Sequence, residues 1–364
     1  MTKLSVISFT KNGLELSRKI LCCQSRIPMI HDVLLYTKWS GFLQENNEYA
    51  MVQYCSDTIG AWAGAKMREN HALLFIGACG IAVRAIAPYV ADKLCDSPVL
   101  VMDELGVHVI PVLSGHVGGA NELAVCLGDI LEAHPVITTA TDINQRFAVD
   151  LFAKKNGLSI MNREGIARIS SAVLNGKTIT ISMETGHLKD VEKNGAWMLK
   201  NGMRRVPYPP EEEPDILITS EPEYCAAKLL LKPRIYALGM GCRAGKKFPE
   251  MAGLVSKTLE GQGIALKEVF VLASIDRKKE EACFLEWSRK NRIPFQTFST
   301  EALQSVPGDF QDSGFVEAQV GVGNVCERAA MIACGKRGEL VLSKHSENGM
   351  TIAIAKRDWS VSFL

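Results

Sequence analysis

Between Leu113 and Leu123 the chain reads Ser114-Gly115-His116-Val117-Gly118-Gly119-Ala120-Asn121-Glu122, a hydroxyl and an imidazole two residues apart in a turn that carries three glycines. An imidazole is the side chain whose ordinary pKa suits proton abstraction near neutrality, and a serine beside it could orient water or substrate. Glycines at 115, 118 and 119 point to left-handed backbone or to close approach of a ligand, because a side chain would obstruct either. The residues alone leave several readings open. The loop could face a ligand, it could be an ordinary turn, or Ser114 could be an acyl-enzyme nucleophile, although the G-x-S-x-G elbow is missing. Asp103, His108 and His116 make a weaker metal set, with no pair of histidines one helical turn apart to support it.

Two further loops carry cations, and two more carry glycines. Gly239-Met240-Gly241-Cys242-Arg243-Ala244-Gly245-Lys246-Lys247 lacks the glycine spacing of a dinucleotide fingerprint. Its Arg243, Lys246 and Lys247 nonetheless suit a carboxylate or phosphate cradle. Asp276-Arg277-Lys278 follows another apolar run, and Gly321-Val322-Gly323-Asn324 repeats the glycine theme. Gly77-Ala78-Cys79-Gly80 precedes a helical pattern in which Arg84 is the polar exception, read either as a solvated arginine or as a carboxylate receiver near a helix N-terminus.

These loops need rigid elements beneath them. Apolar runs at Leu4–Phe9, Val33–Tyr36, Ala72–Ile76, Val99–Met102, Val107–Leu113 and Val136–Asp142 read as strands. They alternate with helical spacing at 11–24, Asp57–Asn70, from Ile81 to Val90 and from Asn121 to about Glu132, interrupted by a polar insertion at Ser40–Glu48 and a tight turn at 103–106. Ala72–Ile76 is apolar throughout, which predicts a strand covered on both faces. Ligands of such a sheet collect beyond the carboxyl ends of its strands, so the 77–80 junction and the 114–119 loop are expected at one shared edge.

The overall expectation is an α/β protein: an N-terminal three-layer α/β domain over 1–140, a small middle α/β region with linker over 141–231, and a C-terminal α/β domain with βαβ units over 232–364. In the middle region, 184–214 is rich in charge, Gly and Pro and reads as irregular, and Pro207–Pro214 as linker or surface loop. In the last region the strand Ile235–Leu238 feeds the Gly-rich loop and a helix over Pro249–Gly261. A terminal hairpin turns at Glu347-Asn348-Gly349.

Composition bounds the partners. Lys and Arg total 41 against 40 Asp and Glu, a formal charge of +1, so no global field gathers nucleic acid or an anionic membrane. Anionic ligands must be met by local clusters. The eleven cysteines are scattered without a CxxC and mostly lie in apolar surroundings, which predicts buried thiols in a reducing, cytoplasmic compartment. No cleavable leader or membrane span is expected, since the long apolar run 72–91 contains Arg84, two glycines and Pro88.

Several of these stretches match a known family. GACGIAVRAIAPYVADK, VIPVLSGHVGGANELA, VITTATDIN and FAVD resemble the N-terminal part of the CbiG family of anaerobic cobalamin biosynthesis, while YALGMGCRAGK, LASIDRKKEE, FST and VGVGNVCERAA resemble its C-terminal domain, shared with the smaller CobE proteins. The chain departs at Cys79 and Asn324, where many relatives carry Thr and Ser. The resemblance implies a cobalt-precorrin-5A hydrolase. Such an enzyme opens the ring A acetate δ-lactone and releases the C20 carbon with its methyl as acetaldehyde, giving cobalt-precorrin-5B. It implies no organic cofactor and no resident metal, since the cobalt belongs to the substrate.

On that reading His116 is the expected base and Ser114 orients water or substrate. The Gly118 and Gly119 N–H groups hold the oxyanion, and Asn121, Gly241 and Gly323 help shape the substrate site. Arg84, Arg243, Lys246, Asp276, Arg277 and Lys278 are expected around the macrocycle's carboxylates, the cations pairing with them. A non-catalytic tetrapyrrole carrier is the alternative, and a serine esterase a weaker third. Hand-over to neighbouring corrin-pathway enzymes and homo-oligomerisation are expected partner relations; nucleic acid and membrane are not.

Overall fold

The computed structural model describes residues 2–43, 51–92, 95–144, 146–221, 227–312 and 314–364. The chain divides into two compact units, 1–151 and 152–364. In the first unit the elements are β1 (Thr2–Ser8), α1 (Lys11–Cys22), β2 (Ile30–Thr37), β3 (Val52–Tyr54), α2 (Ile59–Arg68), β4 (Ala72–Ile76), α3 (Cys79–Ile86) and β5 (Val99–Met102). Then follow β6 (His108–Leu113), α4 (Ala120–Leu131), β7 (His134–Pro135), α5 (Ala140–Ile143) and α6 (Val149–Lys155), which runs on into the second unit. The strands form one seven-stranded sheet in the order β3-β2-β1-β4-β5-β6-β7.

Alternation along β4 shows why three layers result. Leu74 and Ile76 join Leu4, Val6 and Met102 beneath α1 and α4, and Leu73 and Phe75 join Ile7, Val101 and Trp62 beneath α2 and α3. Successive side chains of a strand point to opposite faces, so a fully apolar strand needs helices on both. Thr10 and Thr58 start α1 and α2 by accepting the Gly13 and Ala61 N–H groups.

The strand directions overturn one expectation. β1 to β5 are parallel, but β6 is antiparallel to β5, with Leu113 opposite Val99 and Val109 opposite Met102. Ile76 ends beside Met102, so the 77–80 junction and the 114–119 loop lie at opposite edges of the sheet. A tight turn can join only antiparallel neighbours, and the turn after Met102 is closed by the Asp103 carboxylate, which accepts the Leu105, Val107 and His108 N–H groups at 3.0, 3.3 and 2.6 Å. The metal set of Asp103, His108 and His116 fails for the same reason: β6 separates His108 from His116 by roughly 20 Å of extended chain. The Val136–Asp142 strand is corrected too. The ladder ends with the Val136 N–H on Val109, after which the chain leaves the sheet edge for the short helix α5. The insertion at Ser40–Glu48 is a single helical turn over Ser40–Leu43; its remainder falls outside the described residues.

The second unit contains two five-stranded sheets. β8 (Leu158–Ile160), α7 (Glu164–Leu174), β9 (Ile179–Met183), α8 (Val191–Lys200), β10 (Met203–Val206), β11 (Ile216–Ile218) and β12 (Leu229–Pro233) build the order β10-β9-β11-β12-β8. The supposedly irregular 184–214 thus contains a helix and an edge strand, while 207–214 is the expected loop. Then come β13 (Tyr236–Cys242), α9 (Phe248–Gly261), β14 (Val269–Ile275), α10 (Ala282–Asn291), β15 (Phe295–Phe298), α11 (Thr300–Gln304), α12 (Gly314–Val320), α13 (Val325–Cys334), β16 (Glu339–Glu347) and β17 (Met350–Lys356). Their sheet has the order β15-β14-β13-β17-β16. Beyond β17 the chain returns to the segments that flank the middle sheet. Val361 bridges Leu188, the Ser362 N–H donates to Asn156 at 2.7 Å, and the Phe363 ring stacks on Phe152 at 4.4 Å.

Gly239 and Gly241 are strand residues, not loop residues. β13 continues to Cys242 because β17 pairs with it along its whole length. Gly239 is required by long-range packing: α13 crosses so closely that an added Cβ would lie 1.8 Å from the Cys326 carbonyl oxygen and 2.8 Å from the Ala330 nitrogen. Gly239→Ala is expected to cost on the order of 3 kcal/mol, because backbone cannot yield as a side chain does. Gly253→Ala, in α9 with nothing within 4 Å, should stabilise by about 0.5 kcal/mol. Thermal unfolding of both variants checks the contrast, and equal midpoints would contradict it.

Candidate functional site

In the first unit β6 and β7 run parallel to each other, so their exits share an edge. The 114–119 loop is wound tightly over the start of α4. The Ala120 N–H donates to the Ser114 carbonyl at 3.1 Å, Asn121 N–H to Gly115 at 3.0 Å and Gly119 N–H to His116 at 3.0 Å. Cβ atoms at 115 and 118 would lie 2.6 Å from Asn121 Oδ1 and 2.3 Å from Ser114 Cβ, and Gly119 starts the helix at φ 89°. Glycine is demanded here by the loop's own folding rather than by a ligand.

Ser114 adopts φ 57° and donates its hydroxyl to the Asp96 carbonyl at 2.8 Å. That bond offsets a left-handed conformation unusual for serine and ties the β6 exit to the segment before β5. The Ser114 proton therefore serves the loop's anchorage, and the esterase reading has no activated hydroxyl behind it. The Gly119 N–H is likewise committed to the His116 carbonyl, which takes it out of the oxyanion role and leaves Gly118 as the candidate donor. Asn121 donates to Thr139 Oγ1 at 3.1 Å, joining the loop to the β7 exit.

His116 meets a partner that sequence reasoning missed. Its Nδ1 lies 3.5 Å from Asp150 Oδ2 in the first turn of α6, and the two side chains are only 14% and 13% exposed. The contact is long for a hydrogen bond, as catalytic pairs often are before substrate binds. Asp150 is the last residue of the FAVD stretch; the signal was present, but thirty-odd residues of intervening chain hid its partner. Burial works to raise the Asp150 pKa, yet the hydrogen bond and charge of His116 and the Leu151 N–H outweigh it and hold the carboxyl below its ordinary value. A carboxylate on Nδ1 fixes the imidazole with its proton there and its lone pair on Nε2, the arrangement of a general base and its orienting residue.

Arg84 lies exposed in the last turn of α3, not at a helix N-terminus. Its guanidinium reaches back along the helix, Nη1 standing 3.9 Å from where a Gly80 Cβ would be.

In the second unit the exits of β13 and β14 and the β16–β17 turn meet at one sheet edge around a cavity of 660 Å³, within the usual range for small-molecule sites. Of the expected residues, Gly241, Arg243, Lys278 and Gly323 line it; Lys246, Asp276 and Arg277 do not. Lys246 instead pairs with Glu250 at 2.6 Å. Lys344, Ser346 and Thr351 line the cavity without having been expected. Lys344 and Ser346 are two apart on β16, the period that places side chains on one face. Burial disfavours the Lys278 charge, but Glu281 and Cys242 more than compensate and hold the ammonium above its ordinary range.

A buried carboxylate fixes this architecture. Glu327 is 1% exposed and accepts the Asn324 side-chain amide at 2.6 Å, the Gln311 N–H at 3.1 Å and the Lys344 N–H at 2.6 Å. Asn324 in turn caps α13 by accepting the Glu327 N–H at 3.0 Å. A serine could supply that acceptor, which explains why either residue fits there.

Family models match three stretches: cobalamin synthesis G N-terminal over 61–142, cobalamin biosynthesis central region over 147–219, and cobalamin synthesis G C-terminus over 236–355. The chain is 35% identical over 291 residues to the cobalt-precorrin-5A hydrolase of Salmonella typhimurium, covering 78% of this chain and 81% of that protein. It is 32% identical over 361 residues to the cobalt-precorrin-5A hydrolase of Priestia megaterium, covering 96% and 94%. A shorter relative, Protein CobE of Sinorhizobium sp, is 26% identical over 119 residues, 32% of this chain and 77% of that one.

The His116–Asp150 pair predicts a pH signature. Because the folded-state pKa of Asp150 lies below its unfolded value, the ionised carboxylate contributes stability that is full above the ordinary carboxylate range and is lost as pH falls through the lowered value. Asp150→Asn should lower the thermal midpoint at neutral pH, with the gap to wild type closing below about pH 4. A gap that persists unchanged in acid would show that the pair contributes nothing through charge.

Proposed function

The chain belongs to the cobalamin synthesis G family, and from that premise we propose that His116, oriented by Asp150, is the general base with which it hydrolyses cobalt-precorrin-5A. The observation that carries this is the close, nearly buried approach of the imidazole to a carboxylate whose pKa is lowered. Nε2 takes a proton from water as the water oxygen attacks the lactone carbonyl carbon. The developing oxyanion lies against the Gly118 N–H, since preorganised backbone donors are worth most where negative charge forms. Collapse breaks the acyl–oxygen bond, and the imidazolium returns its proton to the departing oxygen. The C20 hydroxyl freed by this opening then gives up its proton as the bond from C20 to the macrocycle breaks, the electron pair stays with the macrocycle, and C20 leaves with its methyl as acetaldehyde. Side chains and water supply each step, so no organic cofactor is needed.

Arg243, Lys278 and Lys344 present three cations around one cavity, which suits peripheral carboxylates of a macrocycle. Lys246 and Arg277, close in sequence to these cations, contribute to anion capture on this reading. Our reading puts the enzyme in the cytoplasm because a reducing compartment suits its free cysteines. No helix among the described residues is long and apolar enough to cross a membrane. Hand-over of the product to a neighbouring corrin-pathway enzyme and homo-oligomerisation belong to the same reading.

Purified protein incubated with cobalt-precorrin-5A, with acetaldehyde trapped as it forms, tests the assignment. His116→Ala should lower the rate by about 10²–10⁴ while retaining macrocycle binding, and Asp150→Asn should lower it at least tenfold. Arg243→Ala should raise KM with kcat little changed, the pattern of lost uniform binding. Undiminished aldehyde release from His116→Ala would remove His116 as the base, and wild-type protein that binds the macrocycle without releasing aldehyde would make it a carrier.

A further inference from the structure

We propose that Cys242, Glu281 and Cys283 form a binding site for one thiophilic divalent cation, in competition with the Lys278 ammonium. The site goes beyond the hydrolase reading and does not depend on it. Cys242 ends β13, Glu281 is the N-cap residue of α10 and Cys283 lies in its first turn. One ligand atom from each lies within 4.8 Å of the others. Two thiolates bound tetrahedrally to one zinc-like ion at about 2.3 Å stand roughly 3.8 Å apart, so this separation needs side-chain adjustment only. Two sulfurs and one carboxylate select ions such as Zn²⁺ and Co²⁺ over Mg²⁺ or Ca²⁺. Cys242 also lines the cavity, which leaves a fourth position for water or a ligand entering from that side.

The cluster already holds a cation. Lys278 Nζ sits 2.6 Å from Glu281 Oε2 and interacts with Cys242. A thiol binds a metal only as its thiolate, so each cysteine must give up its proton on binding. Binding is therefore an exchange: M²⁺ takes two thiolates and the carboxylate, two protons leave to solvent, and Lys278 is released from Glu281. Three anionic ligands on a divalent ion leave one negative charge, which the displaced ammonium neutralises nearby. Occupancy would thus turn Lys278, a cavity-lining cation, away from its internal partner.

The test is titration of the full chain with Co²⁺, read by thiolate-to-cobalt charge-transfer absorption in the near ultraviolet and by proton release. The expected result is a band saturating near about one equivalent, abolished in Cys242→Ser and in Cys283→Ser, weakened in Glu281→Gln, and formed with about tenfold higher affinity in Lys278→Met. A second measurement on wild type needs no variant: Zn²⁺ should protect Cys242 and Cys283 from iodoacetamide, mapped by peptide analysis. No thiolate band, a band unchanged in both serine variants, or equal alkylation of the two cysteines with and without Zn²⁺ would each overturn the proposal.

Discussion

The first unit depends on how the Asp103 carboxylate closes the turn after β5. By accepting the Leu105, Val107 and His108 N–H groups it satisfies donors that the reversal would otherwise strand, and the stabilised anion has its pKa held below the ordinary range despite partial burial. Reversal of β6 follows, and with it the position of everything beyond. The His116 loop is carried away from the Gly77 junction, to the edge where β7 leaves the sheet and α6 begins. Asp150 can reach the imidazole only from there. A helical crossover in place of this turn would have made β6 parallel to β5 and separated His116 from Asp150.

A comparable constraint governs the last sheet. Glu327 draws a loop, a helix N-terminus and an edge strand onto one buried carboxylate. It thereby sets the mutual position of Gly323, Lys344 and the β13 exit, which line a single cavity. Close approach of α13 to Gly239 completes the frame, since the helix rests on the strand at backbone distance. Charge and packing act together here: the carboxylate fixes the lateral position of the helix, and the missing side chain fixes its height.

Much of this was legible in the residues. Apolar periodicity located most strands and helices, and the glycine turn drew attention to the imidazole that the fold pairs with a carboxylate. What it could not supply was long-range pairing. The turn at 103–106 was recognised, yet its consequence for strand direction was outweighed by the general habit of α/β sheets to run parallel. Asp150 stood within a motif already noticed, but a carboxylate declares itself as an orienting residue only beside its imidazole. Gly239 and Gly241 looked like loop because their glycines answer to a distant helix and to β17, which local pattern cannot show. The α8–β10 segment was obscured by surface charge, since an edge strand and a solvated helix offer little apolar signal. Lys344 lay in a strand of alternating exposure, and only the fold shows which alternate face looks into the cavity.

The return of residues 361–363 to the start of the second unit has a consequence for how the chain acquires its structure during synthesis. Asn156 and Phe152 receive partners more than two hundred positions later, so the segment that begins the second unit emerges from the ribosome long before its contacts exist. The N-terminal sheet, whose strands all lie within 1–151, faces no such delay. Contacts of long sequence separation form slowly because loop closure precedes their reward. The segment around Phe152 and Asn156 is therefore among the last parts of the second unit to gain its partners while the chain is being made.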